Sequence, residues 1–118
     1  MKRKTIRSHR DFFVSQKSFK AMAECFVVKA KAAKISGDAR YGLIVSKRDF
    51  KLAVHRNRAK RLMRDWIAFN EDLMSPELDY VFIAYSQVLD CGREVGRKSM
   101  ADALVKIAEL NENAKQAQ

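Results

Sequence analysis

Apolar and polar positions along this chain repeat with two different periods, and each change of period marks a new element. Across residues 19–31, FKAMAECFVVKAK alternates. Phe26, Val28 and Ala30 share one face and Val27, Lys29 and Lys31 the other, which predicts a strand with one face able to meet anions. A turn signal at Gly37-Asp38 and a second extended stretch, YGLIVS at 41–46, predict an antiparallel pair with it. Between Ala53 and Leu73 the period lengthens. Ala59, Leu62, Met63, Trp66, Ile67, Asn70 and Leu73 follow i, i+3, i+4 spacing, the mark of a helix buried along one stripe. Pro76 closes that region, and the nearly continuous apolar run DYVFIAYS predicts a central strand. Met100, Ala103, Leu104, Ile107 and Ala108 trace another helical stripe, in a helix starting near Gly92. Ahead of all these, Ser8 is a candidate cap for a short helix over residues 9–16 that carries Phe12 and Phe13.

The order helix, strands, helix, strand, helix predicts an α+β fold, an α/β sandwich with helices against a mixed sheet. Its strand-helix-strand passage would be right-handed on general grounds. At 118 residues the chain suits one domain spanning 1–118, and 47% hydrophobic residues with four Gly and one Pro favour a compact core. The ends, 1–7 and 112–118, are the candidates for disorder. No apolar run reaches the roughly 18 residues of a membrane span. The basic start MKRKTIRSHR leads into DFFVSQKSFK rather than a signal-type apolar stretch. A soluble cytoplasmic protein is therefore expected, an organellar transit peptide being the other reading of that start. Cys25 and Cys91 stand far apart with no partner at metal-ligand spacing, so neither is assigned a role beyond that of a reduced thiol.

Charge changes the picture. Twenty-four Lys and Arg against fourteen Asp and Glu leave a net +10, which points to a polyanionic partner. Eight of those cations fall between Lys47 and Arg64 against one acid, Asp49. At 100° per residue, Asn57, Lys60, Arg61 and Arg64 lie opposite the apolar stripe, so one helix has a core face and a cationic face. Cations near a helix N-terminus oppose its dipole, so stability alone would not select Arg56, Arg58, Lys60 and Arg61 there; bound phosphate reverses the sign. The aromatics Phe12 and Phe13, set among basic residues, suit stacking with unpaired bases or core packing. Trp66 and Phe69 lie near the apolar stripe and fit the core. His9 and His55 are isolated, no nucleophile-base pattern or Gly-rich phosphate loop occurs, and the acids Asp49, Asp65, Glu71 and Asp72 read as local charge balance. No side chain is assigned a catalytic or metal-binding role.

The segment YGLIVSKRDFKLAVHRNRAKRLMRDWI, residues 41–67, resembles the signature of the bacterial ribonuclease P protein subunit. The family's RNR motif is here Arg56-Asn57-Arg58, followed by Lys60-Arg61 and Arg64, and Ser46-Lys47-Arg48 matches its strand end. HRDFFV is similar to its first helix, DYVFIAY to the strand after the RNR helix, and residues 100–110 to its last helix. The resemblance implies a left-handed βαβ crossover, against the general expectation above. It also implies a protein that binds the catalytic ribonuclease P RNA and the 5′ leader of precursor tRNA, in a 1:1 ribonucleoprotein with monomeric protein, while Mg2+ held mainly by the RNA hydrolyses the phosphodiester. The implied RNA-binding residues are Lys47, Arg48, Lys51, Arg56, Asn57, Arg58, Lys60, Arg61 and Arg64; the implied leader cleft comprises Phe12, Phe13, Lys29 and Ser46. Departures are Gln16 where a second aromatic is common, no aromatic near Lys29, and Phe50 at a loop position often held by a smaller residue. A ribosomal or ribosome-associated RNA-binding protein and a DNA-binding basic helix are the competing classes.

Overall fold

The computed structural model describes residues 4–5, 18–32 and 40–116; the helix expected over 9–16, with Phe12 and Phe13, and the Gly37-Asp38 turn lie outside them. Five strands form one sheet: β1 (Lys4–Thr5), β2 (Ser18–Met22), β3 (Phe26–Ala32), β4 (Arg40–Ile44) and β5 (Leu78–Ala84), in the order β1-β4-β5-β3-β2. Helix α1 (Ala53–Phe69) connects β4 to β5, and α2 (Arg93–Gln116) follows β5. This is the mixed α+β architecture that the pattern of periods predicted.

β5 takes the middle and is covered on both faces, every residue but the half-buried Ile83 being buried. It pairs in parallel with β4 (Tyr41 opposite Tyr80, Ile44 opposite Ile83) and antiparallel with β3 (Phe26 opposite Ala84, Ala32 opposite Leu78). On its inner face Leu78, Tyr80, Phe82 and Ala84 join Phe26, Val28 and Ala30 against α1 and α2. Val81 is buried on the outer face with Ile44 and Ile83 beside it.

Two expectations about strands are corrected. The stretch 19–31 is a hairpin rather than one strand: the backbone reverses at Glu24 and Cys25, closed by Ala23 N–H donating to the Phe26 carbonyl at 2.9 Å. The alternation slips by one residue there, Cys25 and Phe26 both being buried, and no Gly or Pro marks the reversal. Nor does β4 pair with β3; β5 lies between them. A turn signal is local, whereas partner choice follows from which strand needs two covered faces.

α1 buries Ala59, Met63, Trp66 and Ile67. It ends at Phe69, four residues short of the expected limit, and passes into a 3-10 turn, Glu71–Leu73, that swings Leu73 outward to 40% exposure. Phe69 is likewise outside the core, 62% exposed, with the Arg97 guanidinium 4.1 Å over its ring. α2 buries Met100, Ala103, Leu104 and Ile107, while Ala108 faces solvent. Its helix runs to Gln116, so the expected disordered tail is helical over 112–116, and Lys115 pairs with Glu77 at 2.6 Å.

The two helices meet where Trp66 lies flat on Gly96. A Cβ at Gly96 would sit 2.1 Å from the Trp66 ring. Around this contact Asn70 Nδ2 donates to the carbonyls of Trp66 (3.0 Å) and Arg97 (2.9 Å), and Arg97 donates to both Asp65 carboxylate oxygens at 3.1 and 3.2 Å. Among the described residues Trp66 Nε1 has no hydrogen-bond partner. Leaving it so costs about 1–3 kcal/mol, and the indole's shape is retained in spite of that.

Gly96→Ala should destabilise the protein by about 3 kcal/mol, because the ring and both helices must move together; urea unfolding measures it, and a loss under about 0.5 kcal/mol would contradict this packing. Hydrogen bonding from Arg97 holds the Asp65 carboxyl below the usual carboxylate range. A depressed pKa contributes stability above the unfolded value and loses it as pH falls through the folded one. Asp65→Asn should therefore cost under about 1 kcal/mol at pH 7, since the pair is partly exposed, and the difference should shrink in acid as pH falls through the folded-state value.

Candidate nucleic-acid interface

The site begins where β4 runs out. The Ser46 carbonyl accepts from Phe50 N–H at 3.0 Å; its hydroxyl accepts from Asp49 N–H at 3.2 Å and donates to the Asp49 carboxylate at 3.1 Å. These bonds close a tight turn with Lys47 and Arg48 exposed at its tip. Phe50, only 2% exposed, pins the far side into the core. The bulk of this side chain, a departure from the family pattern, thus serves as the loop's anchor.

α1 starts one residue after Leu52, which offers no side-chain cap, and no acid occupies the first turn. In place of a cap, Arg56 folds back: its Nη1 donates to the Phe50 carbonyl at 2.7 Å and the Lys51 carbonyl at 3.3 Å. This half-buried guanidinium ties the helix to the loop before it. Asn57, Arg58, Arg61 and Arg64 are exposed and Lys60 half-buried, so the polar stripe reaches solvent as its spacing predicted. From Asn57 to Arg64 it is about 10 Å long. Among the described residues no carboxylate pairs with Lys47, Arg48, Lys51, Arg58, Lys60, Arg61 or Arg64. The acid within the cluster on α1, Asp65, is occupied by Arg97. The field of the stripe is therefore not neutralised from within.

Lys29 belongs to a different surface. It lies on the outer face of the sheet, the same face as Ile44, with β5 between their strands. Ser46, two residues past Ile44, spends its hydroxyl within its own turn. The hairpin also sets Lys20 opposite Lys29, and the β3–β5 pairing sets Lys31 opposite Asp79, the last two buried. Lys20 was not singled out from sequence, because only the reversal at Glu24 and Cys25 brings it beside Lys29. The structure thus gathers the loop and α1 cations into one path and leaves Lys29 on a second face. Phe12 and Phe13 lie outside the described residues. Among those described, no group of three or more His, Cys, Asp or Glu could hold a metal ion.

Residues 1–108 match the family model described as Ribonuclease P. The ribonuclease P protein component of Lactobacillus delbrueckii subsp. bulgaricus is 32% identical over 100 residues, covering 84% of this chain and 83% of that protein. That of Pelotomaculum thermopropionicum is 30% identical over 106 residues, covering 90% and 93%. The Staphylococcus aureus RNase P protein structure superposes with a TM-score of 0.70 at 26% identity, covering 90% of this chain and 98% of that one. The Thermotoga maritima RNase P protein shares the fold, with a TM-score of 0.70 at 23% identity over 86% and 96% of the two chains.

The two arginines flanking Asn57 should separate in thermal or urea unfolding. Arg56→Ala removes the loop clasp and should cost about 1–2 kcal/mol, whereas Arg58→Ala should stay within about 0.5 kcal/mol of the parent. Equal losses would contradict the clasp.

Proposed function

This chain belongs to the ribonuclease P protein family, and from that membership we propose how its two surfaces divide the work. It is the protein component of an endoribonuclease whose chemistry is carried by RNA, and RNA is its partner. The loop and α1 path, Lys47, Arg48, Lys51, Asn57, Arg58, Lys60, Arg61 and Arg64, docks on the phosphate backbone of the catalytic RNA. The observation that supports this is the run of exposed cations on α1 with no carboxylate partner among the described residues. Arginines offer phosphate two parallel N–H donors, lysines add charge, and the Asn57 amide can reach a base edge or sugar. Arg56 joins mainly by fixing the loop that presents Lys47 and Arg48.

The outer sheet face, with Lys29 and Lys20, takes the single-stranded 5′ leader of precursor tRNA together with Phe12, Phe13 and the Ser46 strand end. Backbone contact there is electrostatic and so tolerant of sequence. Mg2+ that hydrolyses the phosphodiester resides mainly on the RNA, and this chain's contribution is binding and charge compensation. The assembly is a cytoplasmic 1:1 ribonucleoprotein with a monomeric protein. Family membership does not favour the ribosomal alternative, and dominant copurification with rRNA in place of ribonuclease P RNA would reinstate it.

Adding the protein to a bacterial ribonuclease P RNA at low Mg2+ should raise precursor tRNA cleavage; no gain in cleavage or substrate affinity would defeat the assignment. With about six phosphates engaged, RNA affinity should fall roughly a thousandfold between about 50 and 200 mM monovalent salt. A flat salt profile would remove the electrostatic mechanism.

A further inference from the structure

The fold brings together the two cysteines that the sequence keeps apart. Cys25 sits in the β2–β3 reversal, and its carbonyl accepts from Tyr85 N–H at 2.9 Å, which lays the end of β5 against that turn. The 3-10 turn Ser86–Asp90 follows; Val88 N–H donates to the Tyr85 carbonyl (3.0 Å) and Cys91 N–H to the Val88 carbonyl (3.3 Å), and the chain is returned to the same place. Both thiols are free. Both line one cavity of about 440 Å3, shared with Glu24, Gln87, Asp90 and Val95. A Cβ on Gly92, also in its wall, would meet nothing within 4 Å, so that side is open.

We propose that Cys25 and Cys91 form a dithiol site that a low-molecular-weight disulfide closes to an intramolecular disulfide. Cys91, half-buried, is the more accessible sulfur and reacts first; Cys25 is only 6% exposed. The Cys91 thiolate attacks one sulfur of the small disulfide, whose S–S bond breaks and releases one thiolate. Cys25 then loses its proton to solvent and attacks Cys91 sulfur in the mixed disulfide, expelling the second thiolate. Two electrons pass from the protein to the small disulfide, and two small thiols are formed. Burial, the neighbouring Cys91 and the nearby Glu24 and Asp90 carboxylates push the Cys25 thiol up to about 11, which makes the second step the slower one. The bond would tie the hairpin turn to the segment entering α2, directly behind the Ser86–Asp90 turn on which α1 packs.

The test is incubation of the full-length protein with oxidised glutathione, followed by intact mass measurement and peptide mapping. Loss of both thiols, a mass about 2 Da lower, and a Cys25–Cys91 peptide that dithiothreitol separates are expected. Cys25→Ser should stop at a glutathione adduct on Cys91, and Cys91→Ser should leave Cys25 at least tenfold slower to react than Cys91 in the parent. Stable glutathione adducts on the parent protein, a disulfide between two copies, or both thiols persisting would each overturn the proposal. The decisive readings come from the unaltered protein, so they hold even if a variant folds poorly.

Discussion

Everything exposed on α1 takes its direction from one buried contact, the Trp66 indole resting on Gly96. A flat ring on a bare backbone allows α1 one rotation about its own axis, because any turn would drive the indole into α2. Asn70 then fixes the helix end along its length by donating to carbonyls on both helices, and Arg97 grips Asp65 beside it. With the buried side held by Ala59, Met63, Trp66 and Ile67, geometry alone sends Asn57, Lys60, Arg61 and Arg64 to solvent. Among the described residues the indole N–H has no partner at this contact, where shape rather than polar pairing holds the ring.

The same packing explains how so much positive charge is tolerated. Like charges on one stripe repel, and those near the helix start also oppose the dipole. Two features limit the cost. Most of the cations extend into water, where the interaction is screened, and the half-buried Arg56 meets backbone carbonyl oxygens of Phe50 and Lys51. Asp65, which would otherwise offset the stripe, is drawn toward α2. A stability-driven design would have capped the helix at Leu52 and spread acids through the first turn; this chain does neither.

The end of the sheet where β4 and β5 finish is where the loops converge. The Ser46 turn, the Glu24-Cys25 reversal and the Ser86–Asp90 turn all lie there, joined through strand register and the Tyr85 to Cys25 hydrogen bond. A change at the thiol pair is thus mechanically close to the turn supporting α1, though it lies outside the cationic path itself.

Local periodicity determined much of this protein from sequence alone: the existence and type of α1, α2, β3 and β5, the central place of β5, and the opposition of core and cationic faces on α1. The RNR segment carried the family, since its residue types and spacing are contiguous. Tertiary structure decided the rest. The hairpin at Glu24 and Cys25 was hidden because no Gly or Pro marks it and the alternation slips by only one residue, and with it went the pairing of Lys20 with Lys29. That β3 and β4 flank β5 rather than pair with each other was not local information. Gly96 gained its meaning only from Trp66, Arg56 its inward bonds only from the Phe50 anchor, and Cys25 its neighbour Cys91 only from the end of β5. Periods of 2 and 3.6 report which way a residue faces; which distant residue it meets is settled when the faces pack.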